Sequence, residues 1–136
     1  MYHFPTAQHL ASWAALCPGH HESAGKRKSG KTRAGNKWLR RTLCQAAWAV
    51  TRKKNCYLAA QFKRLAARRG VKRAALAVAH SILIIGYHLL KTGQSYQELG
   101  GNYREQIHKD QLQRYDVRRL QKLGLKITIE PPSAVA

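Results

Sequence analysis

Acidic residues are scarce in this 136-residue chain: six Asp and Glu stand against 25 Lys and Arg, a formal net charge of +19. None of the six falls between Glu22 and Glu98, a stretch that holds 18 of the 25 cations. A one-sign field of that length repels itself and calls for a polyanionic partner, so nucleic acid is expected. The same scarcity excludes two-metal phosphoryl transfer within the chain, because that chemistry needs clustered carboxylates. Glu22 stands alone, and Glu98, Glu105, Asp110, Asp116 and Glu130 all lie in the final third. No metal ligands are therefore assigned.

Cysteine is also sparse. Cys17, Cys44 and Cys56 form an odd set with no CxxC pair and no secretory signal before them, which excludes a disulfide framework and predicts reduced thiols in the cytoplasm. Together with His20 and His21 they lack the closely paired spacing of structural zinc ligands, so ordinary packing is expected. His80 and His88 are read as packed rather than ligating. The longest apolar run, Ala74–Leu90, is interrupted by His80, Ser81 and His88 and falls short of the roughly 20 residues a membrane span requires. It reads as a core helix, and no membrane partner is predicted.

What is present describes a helical domain. Apolar residues make up 44% and charged residues 23%, ordinary globular usage with room for one modest core. Thr6 can cap a short helix carrying Leu10, Trp13 and Ala14, which stops at Pro18-Gly19. Tyr2, Phe4 and Trp13 have little upstream sequence to pack against, so the chain is expected to begin inside a longer protein. Residues 19–35 contain four Gly, many Lys and Arg, and almost nothing apolar, the composition of an exposed basic loop. Asn36 can cap a basic amphipathic helix that buries Trp38, Leu39, Leu43, Ala46, Ala47 and Val50 on one face.

A third helix, Tyr57–Arg69, places Leu58, Phe62, Leu65 and Ala66 inward and ends at Gly70. A fourth runs from about Lys72 to Leu90 and ends near Gly93. Beyond a connection with Tyr96, Leu99 and Tyr103, a charged helix carrying Ile107, Leu112, Val117, Leu120 and Leu123 reaches Gly124. Residues 125–129 alternate as a short C-terminal strand does before Pro131-Pro132. The expectation is one all-α domain of about five helices: a basic Gly/Lys-rich loop at 19–35, a helical core at 36–93, and a charged helix and tail at 94–136.

Two motifs invite catalysis. Gly25-Lys26-Arg27-Lys28-Ser29-Gly30-Lys31-Thr32 spells a nucleotide-binding P-loop, yet a P-loop needs a buried strand before it and a helix starting at its final Lys-Thr. Pro18-Gly19-His20-His21-Glu22 precedes this one and Gly35 follows closely, so nucleotide hydrolysis is not expected. What remains is a hydroxyl among cations, Ser23 or Ser29, in a setting where Lys and Arg can neutralise a phosphodiester and stabilise the charge that develops on attack. Loop serines of this kind more often cap or solvate than react.

Several blocks resemble a known family. Leu10-Ala11-Ser12-Trp13-Ala14-Ala15-Leu16-Cys17-Pro18-Gly19, Glu22-Ser23-Ala24-Gly25-Lys26 and Gly35-Asn36-Lys37-Trp38-Leu39-Arg40 are similar to the C-terminal domain of Piv/MooV-type insertion-sequence transposases, the bridge-RNA-guided recombinases. So are Tyr57-Leu58-Ala59-Ala60-Gln61, Leu65-Ala66-Ala67-Arg68-Arg69-Gly70 and Ala77-Val78-Ala79-His80-Ser81-Ile82-Leu83. The resemblance covers about residues 4–131.

It implies a division of labour in which an N-terminal RuvC-like domain supplies four acids and magnesium, while the C-terminal domain supplies a serine that joins covalently to DNA. Ser23 matches that serine and Ser29 does not. It also implies a homo-oligomer working on DNA with a guide RNA, and a fragment inactive without its metal-binding partner domain. The reading is thus a transposase or site-specific recombinase domain with Ser23 as nucleophile and Lys26, Arg27, Lys28, Lys31, Arg33, Lys37, Arg40 and Arg41 on DNA phosphates. The alternatives are a non-catalytic basic nucleic-acid-binding module and a ribosome-associated or RNA-packaging protein.

Overall fold

The computed structural model describes residues 3–125, which fall into two compact units divided after Gly101. In the first, α1 (Ala7–Trp13) leads into a two-stranded antiparallel hairpin, β1 (His21–Ser23) and β2 (Lys26–Ser29), followed by α2 (Lys37–Val50), α3 (Tyr57–Arg69) and α4 (Val71–Thr92). In the second, α5 (Tyr103–Ile107) precedes α6 (Lys109–Lys122). The all-α reading holds, with one small hairpin added. The charged C-terminal segment is two helices joined at His108. The strand expected at 125–129 lies, apart from Leu125, outside the described residues.

The helix ends follow local chemistry. Thr6 accepts the His9 backbone N–H at 3.3 Å and caps α1, and Asn36 accepts that of Leu39 at 2.9 Å and caps α2. At the end of α1 the N–H groups of Ala15 and Leu16 donate to the carbonyls of Ser12 and Ala11, a Schellman closure that puts Ala15 at φ +57°. Gly124 and Leu125 close α6 in the same way through Gln121 and Leu120. Gly70, at φ +83° and ψ 156°, turns α3 directly into α4 with a backbone that glycine alone adopts without strain.

The α4 helix is the centre of the first unit: α1, α2 and α3 all pack against it. It buries Ala74, Ala75, Val78, Ala79, Leu83 and Tyr87, while Ala11 and Ala47 on the surrounding helices and Ala14 just after α1 are wholly buried too. So many small side chains let the helix backbones approach closely, and Val78 is the largest side chain removed entirely from water. By length and composition α4 is also apolar enough to cross a membrane, but its buried stripe is the seam on which three helices close. Near its C-terminal end, buried Tyr87 donates its hydroxyl to the carbonyls of Phe4 and Pro5 at 2.9 and 3.0 Å, fastening the segment before α1.

One helix assignment needs correction. Trp38 was expected on the buried face of α2, but it is 77% exposed. Leu43 and Ala47 are buried and Leu39, Cys44 and Val50 pack partly against the core, so the apolar stripe runs through position 39 and leaves 38 outside it. A stripe needs residues three and four apart, and 39, 43, 47 and 50 satisfy that spacing without position 38.

Candidate nucleic-acid interface

The basic segment 19–35 stays exposed as its composition predicts, but it is an ordered hairpin. Ser23 pairs with Lys26 and closes a two-residue turn formed by Ala24 (φ +50°) and Gly25 (φ +71°). Positive φ at both central positions is the type I′ geometry, whose twist matches that of paired strands. Below the turn Glu22 pairs with Arg27 and His21 with Ser29, with a bulge between His21 and Glu22 that gives β2 one extra residue. The stalk continues through a bridge between Pro18 and Thr32 and a hydrogen bond from the Gly19 N–H to the Lys31 carbonyl at 3.1 Å.

Two glycines seat this hairpin on the helices. A Cβ at Gly19 would lie 2.5 Å from the Lys31 carbonyl oxygen, so the stalk strands come together only where a side chain is missing. A Cβ at Gly35 would lie 2.5 Å from the Trp13 carbonyl oxygen and 2.8 Å from the Ala15 Cβ. The next residue, Asn36, donates its N–H to that same Trp13 carbonyl at 3.3 Å and then caps α2. The return of the hairpin is therefore fixed between the end of α1 and the start of α2.

On this frame Ser23 is exposed, and its hydroxyl makes no hydrogen bond among the described residues. Ser29 is half-buried, and its hydroxyl accepts the Lys31 N–H at 3.2 Å, a local turn contact. Lys26 is the cross-strand partner of Ser23, and adjacent cross-strand side chains project to the same face. Arg27 and Lys28 lie along β2, Lys31 and Arg33 on the stalk, and Lys37, Arg40 and Arg41 on the first turns of α2. The eight cations thus divide between the hairpin and the helix that receives it, with only Lys26 paired directly to Ser23.

The P-loop spelling dissolves in this geometry. Gly25 is a hairpin turn, Lys26–Ser29 is a strand, and Thr32 bridges Pro18, whereas the next helix starts five residues later at Lys37. A phosphate-cradling loop would require that helix to start at Lys31-Thr32. Among the described residues no three His, Cys, Asp or Glu side chains come together. Burial raises the Cys17 thiol above its ordinary pKa, which favours the protonated form, and lowers that of His80, which favours the neutral ring.

Sequence reasoning missed the part played by Glu98. Its carboxylate accepts the Tyr57 N–H at 2.9 Å and the Gly100 N–H at 3.1 Å, and takes the Cys56 thiol at 3.2 Å. It therefore caps α3 from 41 residues away, where Cys56 at the N-cap offers no side-chain cap of its own. The Tyr57 hydrogen bond, foremost, holds the Glu98 pKa below its ordinary value, with further help from Cys56, Gly100 and the charge of Lys53. The Tyr96 phenol, 3.4 Å from the same carboxylate, is raised by burial and then by that negative charge. Glu98 is the first acid after Glu22, and its carboxylate is held by the fold.

The arrangement defines a class: a small helical platform with a solvent-exposed basic hairpin whose tip carries a free hydroxyl. Residues 1–64 match the family described as Transposase IS116/IS110/IS902 family. The chain is also 30% identical over 103 residues to "Putative transposase y4pF/y4sB" of Sinorhizobium fredii, an alignment that covers 72% of this chain and 27% of that protein. Both matches are to transposases, and the aligned region spans about a quarter of the curated relative's length. No solved structure matches.

Proposed function

We propose that the chain belongs to this transposase family and is its DNA-handling domain, with the Ser23 hydroxyl as the nucleophile toward a DNA phosphodiester. The supporting observation is the hairpin tip. Ser23 closes a turn whose next residue, Ala24, is a non-glycine at φ +50°, and backbone strain of that kind is more common at functional positions than elsewhere. The paired strands present the exposed Ser23 directly opposite Lys26 across the turn.

In the step envisaged, a bond forms between the Ser23 Oγ and phosphorus as one bridging P–O bond breaks. The hydroxyl proton passes to the solvent that bathes the side chain, and the departing deoxyribose oxygen takes up a proton in turn. Lys26, Arg27, Lys28, Lys31 and Arg33 along the hairpin, with Lys37, Arg40 and Arg41 on α2, hold the DNA backbone through its phosphates. Each phosphate contact releases counterions, so log K falls with log salt by about 0.9 per contact. Metal chemistry belongs to the RuvC-like domain that the resemblance implies, as do oligomerisation and guide-RNA use at the level of the whole transposase.

The second reading is a non-catalytic nucleic-acid-binding module. It uses the same cations and needs no serine. The test joins the chain to the implied N-terminal domain, supplies magnesium, and looks on denaturing gels for labelled DNA attached to protein. An adduct lost in Ser23→Ala while salt-sensitive binding persists supports the nucleophile. Adduct surviving in Ser23→Ala removes the serine, binding without adduct in the parent protein favours the module, and salt-insensitive binding removes the phosphate contacts.

A further inference from the structure

The three tryptophans of the first unit are not equivalent. The Trp13 ring packs at a tilt on Phe4, with centroids 5.5 Å apart, and the Trp48 ring likewise on Phe62 at 5.8 Å, whereas Trp38 has no ring partner among the described residues and is 77% exposed. It stands in the first turn of α2, immediately after the residues that seat the hairpin. In a helix each Cα–Cβ bond tilts toward the N-terminus, so the indole leans back toward the chain arriving from the hairpin. Nothing in helix propensity asks for Trp here, since Lys or Gln forms an exposed turn better.

Its neighbours narrow what it can serve. The residues beside it on the helix surface at three, four and seven positions are Arg41, Thr42 and Gln45, all exposed and polar. The Thr42 hydroxyl is turned onto the Trp38 carbonyl at 3.1 Å. A partner helix or a lipid surface needs an apolar stripe, and this face has a single aromatic plane set among polar groups. Lys37, Arg40 and Arg41 surround it in sequence, and no acid lies within the span from 23 to 97 to repel a phosphate.

An isolated aromatic plane in a cationic setting suits one ligand chemistry above others, an unstacked nucleobase on its phosphodiester chain. We infer that Trp38 is a stacking platform for an unpaired nucleobase, with Lys37 and Arg41 on the flanking phosphates. This deepens, and rests on, the reading of the chain as a DNA-handling domain. A fully paired duplex keeps its base faces within the stack and offers only end faces, so Trp38 confers a preference for unpaired strands, whereas the cations bind paired and unpaired strands alike.

The test uses the whole chain with Trp13→Phe and Trp48→Phe, which keep an aromatic ring at both packed positions and leave Trp38 as the sole indole fluorophore. Oligothymidylate, oligouridylate, a DNA duplex and anionic phospholipid vesicles are titrated in turn. Quenching by the single strands but not by the duplex or vesicles is the expected result, and the tighter of the two strands identifies DNA or RNA as the source of the base. Trp38→Ala, at a position exposed enough to spare the fold, weakens single-strand binding about tenfold, since one base stack is worth roughly 1–3 kcal/mol and 1.4 kcal/mol is a decade. Duplex affinity stays unchanged, and Trp38→Phe recovers part of the loss.

Equal affinity of Trp38→Ala and parent for the single strands overturns the stacking role while leaving the DNA-handling reading intact. An equal loss on strand and duplex does the same, as does quenching by vesicles alone. A parent chain that binds neither strand nor duplex sinks both readings together.

Discussion

Replacing Glu98 by Ala removes a cap that reaches α3 from a distant part of the chain. The carboxylate accepts two backbone N–H groups, at 2.9 Å from Tyr57 and 3.1 Å from Gly100, and takes the Cys56 thiol. Hydrogen bonds to a charged acceptor are worth roughly 1.5–3 kcal/mol each when buried. Glu98 is exposed, so water screens the charge and can satisfy the freed donors, and the value drops toward that of an N-cap, about 0.5–2 kcal/mol. A loss of about 1.5 kcal/mol follows, which in a unit of this size lowers the melting temperature by roughly 6–12 °C. Glu98→Gln keeps a carbonyl oxygen for Tyr57 and loses about half as much.

The sign of the pH dependence is set by the lowered Glu98 pKa. A carboxyl more acidic in the folded than in the unfolded chain binds fewer protons when folded, so its contribution is complete above the unfolded value of about 4.3 and is lost as pH falls through the folded one. The gap between parent and Glu98→Ala is therefore full at neutral pH and narrows in acid. Thermal melts followed by far-ultraviolet circular dichroism across this range measure both quantities. Melting of the Ala variant within about 2 °C of the parent at neutral pH refutes the cap. A gap of constant size into strong acid refutes its electrostatic part.

Three further substitutions probe the frame of the interface. Gly35→Ala forces a methyl to within 2.5 Å of the Trp13 carbonyl oxygen, and overpacking of that kind costs about 1–3 kcal/mol in urea unfolding; unaltered stability means that the hairpin is not seated there. Ala24→Asn puts at φ +50° a residue that tolerates left-handed backbone, and it slows amide exchange across the His21–Ser29 hairpin by the equivalent of about 0.5–1 kcal/mol; faster exchange rules out the type I′ turn. Tyr87→Phe removes the hydroxyl that the Phe4 and Pro5 carbonyls share, lowering stability by about 1 kcal/mol; no loss means that the N-terminal segment is held by the Phe4–Trp13 contact instead.

Local chemistry was legible in the sequence wherever one residue decides an outcome within its own turn. Thr6 and Asn36 cap the helices they were expected to cap, Gly70, Gly93 and Gly124 end theirs, and Ala74–Leu90 forms the central helix. The basic character of residues 19–35 needed only counting. The hairpin within them was hidden because His21 to Ser29 has no apolar alternation and its turn is Ala-Gly rather than the strongly signalled Asn-Gly. Trp38 misled for another reason: it was grouped with the apolar face of its helix, although the spacing of 39, 43, 47 and 50 already completes the stripe.

The sequence by itself determined the helical class, the helix ends and a positive field with almost no acid to oppose it, because propensity, capping and charge are properties of neighbouring residues or of composition. Only the tertiary structure decided that Glu98 caps a helix 41 residues away, that Gly19 and Gly35 are needed for backbone contact, and that Ser23 faces Lys26 across a strained turn. Those outcomes depend on which distant backbones meet. That is set by how the small side chains of α4 let three helices close around it.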